Sequence, residues 1–508
     1  MTKLKSGNLH SLLFLVLMLS FTAIVFTSLG KFSASFDETS HIASGYSYLE
    51  TSKIELNKQH PPLVKLLSAL PLKFLDLKSK IPNKGWGSSI PNEWDFGFEF
   101  LYSNDADQIL FLSRMPILLL AILLGFFVYR LSLELFGKNS ALLSLMLYAF
   151  SPNIIAHSHL VTMDLALSCF SFGSFYFLWK FYQEKTSSHF YVACIFLSLA
   201  LLSKFSALIF LIPFGLLILI NEKSLSKRFH NATRCALILV VIVSSFYFTP
   251  FNLDLYIEGL RKVQADHQQS YLFYLNGEFG RGWWHYFLLA FLFKTPLLTI
   301  FLILCGIFQK PQSNEAKFLI MPAFIFLLVT SAFAHNAGIR YILPIYPFLF
   351  VLAGSSIVKL RPKLQKALLC MATVYFCTLT YFIYPDQLAY FNEIAEGPSN
   401  GYNHLDDSNI DWGYDLKRLK QYLDANPKAD VTLLYPWNGS PEYYGISHRK
   451  LANLEWSVPK SGVTYVISTH ALIRGKLLEQ KTGLKTDWLT RYKPVARIGY
   501  SFYIFQFS

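Results

Sequence analysis

Long apolar runs, separated by short polar connections, make up most of the chain before residue 385. A helix needs about 20 consecutive apolar residues to cross the hydrocarbon core of a bilayer. On that basis the pattern predicts a polytopic α-helical membrane protein with about eleven spans. The predicted spans are 9–30, 109–136, 139–155, 162–182, 189–203, 205–221, 234–252, 283–308, 317–334, 341–358 and 364–384.

Composition supports a membrane protein and argues against a soluble one. The chain is 53% hydrophobic and 15% charged, whereas soluble domains are about 25% charged. Its net charge of +13 does not indicate nucleic-acid binding, because many Lys and Arg residues form short clusters between apolar runs. That distribution favours contact with an anionic membrane leaflet. The six Cys lie in or beside apolar runs without metal-ligand spacing, so we interpret them as small hydrophobic residues.

Basic residues predict the orientation of the spans, because cytoplasmic loops are enriched in Lys and Arg. Lys3 and Lys5 precede the first span, which is longer than a signal-peptide core and is predicted to remain uncleaved. With the N-terminus in the cytoplasm, an odd number of spans places the C-terminal part outside. We therefore predict a multi-pass protein of the inner (plasma) membrane. The predicted cytoplasmic loops contain Lys138, Lys180, Lys185, Lys223, Lys227, Arg228, Arg234, Lys310, Lys317, Lys359, Arg361, Lys363 and Lys366.

Three long segments are predicted to lie outside the membrane, and the last of them divides the chain into two domains. Segment 31–108 contains an apolar stretch, 63–75, that is typical of a helix lying in the membrane interface. Segment 253–282 is polar and aromatic. Residues 385–508 are predicted to form a small α/β domain beside the transmembrane domain 1–384. Its predicted elements are a helix at 413–424 and strands at 431–435, 463–468 and 496–507.

Two adjacent carboxylates, Asp37 and Glu38, follow the first span by a few residues. If this stretch is helical, Asp37 and His41 lie one turn apart on the same face. A carboxylate held near lipid has a raised proton affinity, which suits a general base. Acidic residues are also favoured at the start of a helix for structural reasons. The spacing leaves both interpretations open.

A second cluster, His60-Pro61-Pro62, precedes the interfacial stretch, and Lys65 lies one turn into it. The two prolines fix the start of the helix. A cation at Lys65 can bind a phosphate headgroup, or its side chain can extend to water as lysines at membrane surfaces do.

A third cluster lies between the third and fourth predicted spans and contains His157, His159 and Asp164. A carboxylate at the start of a span is costly unless it is paired or hydrated, so Asp164 is a candidate functional residue. Both histidines, with His41 and His60, can be considered as ligands of a divalent cation. No local metal motif is present, and interfacial histidines are more often satisfied by backbone groups.

Lys204, Lys294 and Arg340 are cations at or inside apolar runs. An unpaired charge there is expensive, so each requires a partner. An anionic substrate group and a structural carboxylate are both suitable. The acidic residues Asp406, Asp407 and Asp411, which open the C-terminal segment, are interpreted as a solvated turn.

An ordered series of short motifs resembles bacterial family 39-type glycosyltransferases. These belong to the GT-C superfamily, with protein O-mannosyltransferases and the lipid A aminoarabinose transferase as relatives. The resemblance covers roughly residues 30–425. It rests on Phe36-Asp37-Glu38, His41-Ile42-Ala43, Gly45-Tyr46, His60-Pro61-Pro62-Leu63, Ala149-Phe150-Ser151-Pro152-Asn153, Asp164-Leu165, Ser203-Lys204-Phe205-Ser206-Ala207, Gly282-Trp283-Trp284, Lys294-Thr295-Pro296, Arg340-Tyr341-Ile342-Leu343-Pro344, Leu388-Ala389-Tyr390-Phe391-Asn392-Glu393 and Asp407-Ser408-Asn409-Ile410-Asp411-Trp412-Gly413.

The resemblance implies a polyprenyl-phosphate-sugar donor, a hydroxyl acceptor and catalysis at the outer membrane surface. It implies that an acidic residue of the first loop is the catalytic base, and Asp37 is the matching position. The family often has proline after the acidic pair, where this chain has Thr39.

The expected mechanism gives each candidate residue a role. Glu38, His41 and Asp164 are expected to orient the acceptor or the base, with His60 beside the phosphate. Four cations, helped where needed by a divalent cation, are expected to neutralise the leaving phosphate. These are Lys65, Lys204, Lys294 and Arg340.

Two other classes of function compete with the enzyme. A transporter or flippase of a lipid-linked or anionic substrate predicts broken helices in two related halves and ionisable residues near span centres. A non-catalytic receptor predicts recognition by 385–508. Most ionisable residues lie at loops and span ends, which favours the enzyme.

Overall fold

The chain folds into apolar helices with a small β-sheet near the C-terminus. In the computed structural model the described residues are 2–82, 85–265, 271–309, 313–427, 430–483, 486 and 488–507. Lys310 and residues 266–270, which belong to the predicted loops, lie outside them.

Residues 2–383 form helices that follow the predicted apolar runs. Two of the apolar runs, 205–221 and 341–358, also contain short 3₁₀ turns, at Phe205–Phe210, Ile339–Ile345 and Ser355–Ile357. The helices are α1 (Thr2–Leu29), α2 (Phe36–Thr51), α3 (Leu63–Ala69), α4 (Glu93–Tyr102), α5 (Ala106–Phe136), α6 (Lys138–Ala149), α7 (Pro152–His157), α8 (Met163–Glu184), α9 (Ser187–Leu201), α10 (Leu211–Asn221), α11 (Leu225–Phe246), α12 (Asp254–Ala265), α13 (Tyr286–Lys294), α14 (Leu297–Phe308), α15 (Ser313–Phe333), α16 (Tyr346–Gly354) and α17 (Pro362–Ile383).

Within the described residues, five helices are long and apolar enough to cross a membrane. The remaining predicted spans are also helical, but they are shorter, interrupted or less uniformly apolar. The count of about eleven spans is therefore not confirmed, although the multi-pass character is. The five are Leu9–Leu29, Ala106–Phe136, Leu225–Phe246, Ile339–Ile357 and Pro362–Ile383.

The predicted span 283–308 is not one straight helix, because the chain bends by 116° between α13 and α14. Pro296 lacks a backbone N–H, and its ring disfavours helical geometry at the preceding residue. Thr295 is accordingly extended, with φ −105° and ψ 132°. The break places Lys294, the last residue of α13, in the protein interior.

In the first outer loop, α2 packs closely between α3 and α4. A Cβ on Gly45 would lie 2.1 Å from the Lys65 carbonyl oxygen, and one on Gly97 would lie 2.5 Å from the Thr39 carbonyl oxygen. Only glycine permits these close backbone contacts. The predicted interfacial stretch forms α3 and a 3₁₀ turn that exposes Phe74. This packing fixes the helix whose first turn carries Asp37.

The C-terminal part contains a four-stranded sheet, which confirms the predicted small α/β region but leaves the boundary at 385 a prediction. A separate hairpin lies in the second outer loop. The predicted single strand 496–507 is two antiparallel strands joined at Gly499, whose φ is 51°. The elements are β1 (Phe273–Leu275), β2 (Glu278–Gly280), α18 (Leu416–Ala425), β3 (Val431–Leu434), β4 (Thr464–Ser468), α19 (Thr469–Thr482), α20 (Trp488–Arg491), β5 (Ala496–Ile498) and β6 (Phe502–Gln506).

The strand order is β3-β4-β6-β5. β3 and β4 are parallel, and the other two pairs are antiparallel. Apolar side chains on both faces of the sheet are buried, one group against α18 and the other against α19 and α20.

The predicted solvated acidic turn is wrong, because Asp406 and Asp411 are buried. The Asp406 carboxylate accepts hydrogen bonds from His470 Nδ1 and Arg474 Nε, each at 2.8 Å. Arg474 also donates to the Leu272 carbonyl oxygen at 2.6 Å, beside β1. Burial raises the pKa of Asp411 to about 6. Arg474 therefore connects the turn, through its ion pair with Asp406, to the second outer loop, through its hydrogen bond to Leu272.

The His470–Asp406 pair predicts a loss of stability at alkaline pH. Burial lowers the pKa of His470, but attraction to Asp406 and Asp407 outweighs it, so this pKa lies above its usual value. The stabilisation is therefore complete below the unfolded pKa of about 6.5 and is lost as pH rises through the raised folded value. Between roughly pH 6 and pH 9, the thermal unfolding midpoint should fall more in the unmodified protein than in His470→Gln. His448→Gln, in the same region, should retain the steeper fall; equal slopes in all three proteins would contradict the assignment.

Candidate active site

The predicted base, Asp37, lies in the first turn of α2 and forms an ion pair across the molecule. Arg340 Nη1 donates to Asp37 Oδ2 at 2.9 Å. Both side chains are 15% exposed, so the pair is partly accessible from outside the protein. Arg340 belongs to the 3₁₀ turn after Gly338, whose φ of 127° suits glycine. The structure thus brings together two residues that the sequence separates by 303 positions.

A second ion pair lies beside the first one. Lys204 Nζ donates to Asp164 Oδ1 at 2.6 Å; Asp164 is 2% exposed and Lys204 12%. The Tyr341 ring connects the pairs, because its centroid lies 4.4 Å from Lys204 Nζ and 5.4 Å from Arg340 Cζ. Asp164 and Arg340 are also close enough to interact electrostatically. Two carboxylates and two cations therefore share one region at the ends of predicted spans.

His41 and His60 border this charged region, with ring centroids 5.3 Å apart. Burial lowers the pKa of His41, although Asp37 partly offsets this effect. The pKa of His60 lies well below its usual value because of burial and the positive charges of neighbouring residues, including Lys204 and Arg340. Both rings are therefore neutral near pH 7.

The neutral His41 ring can be assigned one tautomer from its contact. Its Nδ1 lies 2.9 Å from the Val161 carbonyl oxygen, which can only accept a hydrogen bond. Nδ1 therefore carries the proton, and Nε2 keeps a lone pair that can accept a hydrogen bond.

The other two histidines occupy different surroundings. Neither ring nitrogen of His157 has a hydrogen-bond partner among the described residues, and its ring centroid lies 6.3 Å from that of Trp412. Its Coulombic neighbours include Asp164 and Arg340, and burial lowers its pKa to about 4. His159 hydrogen-bonds the Ile155 carbonyl oxygen at 3.0 Å and stacks on Phe32.

The four candidate histidines do not assemble into a cation site. Across the parts of the chain that the structure describes, no group of three or more His, Cys, Asp or Glu side chains could hold a metal ion. His41 and His60 lie near each other, whereas His159 contacts the Ile155 carbonyl oxygen of the preceding helix α7 and the Phe32 ring.

Trp412 completes the site from beyond residue 385. Its ring centroid lies 4.3 Å from Arg340 Cζ, and its carbonyl oxygen accepts a hydrogen bond from Phe36 N at 3.0 Å. Ser33 N donates to the Tyr414 carbonyl oxygen at 2.8 Å. The sequence motif includes Trp412, but its spacing gives no indication of this stacking contact.

Glu38 does not face the site, so of its two predicted roles the structure contradicts orienting the acceptor and leaves orienting the base. It is fully buried, and its carboxylate accepts two hydrogen bonds from Arg114, at 2.8 and 2.7 Å. The backbone N–H groups of Ser35 and Val161 add bonds of 2.9 and 3.0 Å. Burial raises the pKa of Glu38, but Arg114 and these hydrogen bonds outweigh it and lower it overall. The arginine in span 109–136 was the overlooked sequence signal, because a charge there requires a partner.

Lys65 and Lys294 also lie outside the charged region. Lys65 Nζ donates to the backbone oxygens of Asn57 and His60, at 2.6 and 2.8 Å. Lys294 Nζ donates to those of Leu388 and Asn409, at 2.6 and 2.5 Å. Both lysines are fully buried, so neither binds phosphate nor reaches water in this arrangement. Each instead satisfies carbonyl groups of a loop.

The comparisons with known proteins agree with this architecture. The family model described as dolichyl-phosphate-mannose-protein mannosyltransferase matches residues 106–248, which is less than half of the chain. A search of curated proteins found no match.

Solved structures match over longer stretches. The apo crystal structure of ArnT from Cupriavidus metallidurans is 14% identical, with a TM-score of 0.54 and 98% of each chain covered. ArnT bound to undecaprenyl phosphate matches with a TM-score of 0.48, 14% identity and 97% of each chain. The S. cerevisiae Pmt1–Pmt2 complex bound to the sugar donor is 21% identical, with a TM-score of 0.32 over 50% of this chain and 34% of that one.

The whole-length likeness to apo ArnT shows that this chain shares the overall fold of that structure. The resemblance that the motifs indicated is confirmed at that level, and the match over 106–248 supports it.

The buried Glu38–Arg114 pair predicts that Glu38→Gln impairs folding. The substitution leaves the Arg114 charge uncompensated in the interior, which should cost about 3–5 kcal/mol. We expect a lower thermal unfolding midpoint and less folded protein after extraction. Glu50→Gln removes an exposed carboxylate from the same helix and should change neither quantity. A normally folded but inactive Glu38→Gln protein would instead indicate a catalytic role.

Proposed function

We propose that this protein is a glycosyltransferase that moves a sugar from a polyprenyl-phosphate carrier to a hydroxyl acceptor at the extracytoplasmic membrane face. The observation that carries the proposal is the Asp37–Arg340 ion pair beside Asp164–Lys204 in a GT-C fold. This arrangement supplies a base and two cations in one partly accessible region.

The chemistry of the donor requires cations more than it requires an acid. A polyprenyl-phosphate sugar is a phosphodiester with one negative charge, and its cleavage leaves a phosphate monoester with more charge. Cations beside that group therefore stabilise the transition state more strongly than they stabilise the bound donor. Arg340 and Lys204 are the partly exposed cations of the site.

Donor binding and base release are coupled in this mechanism. The donor phosphate competes with Asp37 for Arg340, and the displaced Asp37 carboxylate becomes free to accept a proton. The acceptor oxygen then attacks the anomeric carbon while the bond from that carbon to the phosphate oxygen breaks. The phosphate leaves with the bonding electrons, the acceptor proton moves to Asp37, and the anomeric configuration inverts.

The neighbouring residues have positioning roles in this proposal. His41 Nε2, with its lone pair, can accept a hydrogen bond from the acceptor and orient it near Asp37. Asp164 keeps Lys204 beside Tyr341, where the ammonium lies near Arg340. The neutral His60 adds a hydrogen-bonding group near both cations without further charge.

Three further observations support a lipid carrier and an outer-face site. ArnT of Cupriavidus metallidurans binds undecaprenyl phosphate, and the yeast Pmt1–Pmt2 complex binds its sugar donor. The distribution of basic residues predicts that the first loop lies outside the inner (plasma) membrane, with 385–508 on the same side. The acceptor we propose is a hydroxyl of a protein, a lipopolysaccharide or another envelope glycan.

A transporter is the second candidate, and the break between α13 and α14 favours it. The polar groups at this break are nevertheless used structurally. Lys294 is held by two carbonyl groups, and the Thr295 hydroxyl lies 2.8 Å from that of Tyr346. Because both side chains already have hydrogen-bond partners, neither is free to bind a transported ion. We therefore favour the transferase.

We predict that Asp37→Asn abolishes sugar transfer while expression, membrane insertion and the unfolding midpoint stay close to normal. The amide cannot accept the acceptor proton but retains the size of the carboxyl group. The measurement is a glycan comparison between cells carrying each variant, followed by transfer from a purified polyprenyl-phosphate-sugar panel. Asp76→Asn, an exposed carboxylate of the same loop, is the matched control. An active Asp37→Asn enzyme, or labelling of a cysteine at position 37 from the cytoplasm, would rule out this mechanism.

Loss of either accessible cation should weaken binding of the carrier phosphate. We expect Arg340→Gln and Lys204→Gln to raise the inhibition constant of undecaprenyl phosphate by about tenfold or more, because one charge-assisted contact disappears. Lys73→Gln, which removes an exposed cation of the first loop, should leave that constant unchanged. Unaltered inhibition in both site variants, with folding intact, would place the phosphate elsewhere.

A further inference from the structure

A cavity of about 640 Å³ lies between the outer end of α17 and the segment 390–398. Leu379 and Phe382 of α17 form part of its apolar wall. Phe382 is 77% exposed, as expected for a helix side chain that faces lipid in a membrane protein. The cavity therefore adjoins a lipid-facing surface and can admit an acyl chain from the bilayer.

The opposite wall is polar and acidic. Glu393 and Glu396 line it together with Tyr390. The Tyr390 side chain is only 5% exposed, and its hydroxyl interacts with the nearby Tyr375 hydroxyl without reaching hydrogen-bond geometry to any described residue. A buried hydroxyl without a partner is costly, and a polar ligand group removes that cost.

The charges around this cavity favour a zwitterionic headgroup over an anionic one. The described lining residues include two glutamates and neither Lys nor Arg. Arg497 lies next to the rim, with Cζ 5.9 Å from the centroid of the lining residue Tyr500. An amine can reach the glutamates while a phosphate lies towards Arg497.

The cavity lies on the same side of the membrane as Asp37 but is separate from the site there. Tyr384, at the end of α17, donates to Thr27 Oγ1 at 2.8 Å, and Lys31 Nζ lies 4.2 Å from its ring centroid. These contacts join the outer ends of α17 and α1. Within the protein, Lys294 lies behind the lining residue Phe391, with Nζ 4.4 Å from that ring centroid.

We propose that this cavity is a binding site for an amine-bearing phospholipid of the outer leaflet. One acyl chain lies along Leu379 and Phe382, the amine contacts Glu393 and Glu396, and the Tyr390 hydroxyl donates to a headgroup or ester oxygen. The site goes beyond the proposed transfer reaction and does not depend on it.

The test is lipid retention by the purified, delipidated full chain, measured by native mass spectrometry. The probes are phosphatidylethanolamine and phosphatidylglycerol, supplied at equal concentration. We expect the unmodified protein to retain one phosphatidylethanolamine in about fivefold preference, as two partly exposed charge contacts allow. Leu379→Trp should abolish retention by filling the cavity. The double variant Glu393→Gln, Glu396→Gln should retain lipid but lose the preference.

The controls separate this site from general lipid contact and from catalysis. Val374→Trp enlarges an exposed side chain of the same helix outside the cavity and should retain the lipid normally. Asp37→Asn should also retain the lipid normally. Lipid retention is therefore expected whether or not the transferase proposal is correct. No preference in the unmodified protein, or normal retention by Leu379→Trp, would overturn the proposal. The unmodified protein and Leu379→Trp decide the outcome. The proposal therefore stays testable even if the double variant fails to fold.

Discussion

The arrangement of the site depends on one buried ion pair, between Glu38 of α2 and Arg114 of α5. Two charges in the interior are tolerated only when their geometry is good and their remaining hydrogen-bonding groups are satisfied. Here the carboxylate also accepts from two backbone N–H groups, and the guanidinium also donates to the carbonyls of Leu29, Phe32 and Ser33. The pair therefore fixes the end of α1, the start of α2 and the first turns of α5 relative to one another. Asp37 immediately precedes Glu38, and its position follows from that constraint.

The same principle, charge kept in pairs, organises the accessible part of the site. Asp37 with Arg340 and Asp164 with Lys204 each keep opposite charges together, and the aromatic ring of Tyr341 contacts both cations. A site of this kind remains nearly neutral without a ligand and offers two cations to an anion that can compete for them. This property connects the geometry to a phosphate-bearing donor.

Loops from distant parts of the chain are held by lysines that hydrogen-bond carbonyl oxygens. Lys65 closes the loop before α3, and Lys294 connects the break between α13 and α14 to the segment after α17. Such lysines are conspicuous in the sequence because a charge in an apolar run is expensive. The sequence does not indicate their partners, because a backbone carbonyl is present at every residue. Periodicity likewise predicted a helix at 283–308 but could not show the bend at Pro296, because many membrane helices accommodate proline.

The sequence by itself determined the lipid environment, the positions of most helices, the small C-terminal sheet and the first-loop carboxylates as candidates for chemistry. Apolar run length and motif order contain that information locally. Only the tertiary structure decided that Asp37 faces the site and that its neighbour Glu38 faces the interior. Successive residues of a helix point about 100° apart, and which direction is buried depends on partners elsewhere in the chain. For Glu38 those partners are Arg114 and Val161, 76 and 123 positions away, so their approach exists only in the folded protein.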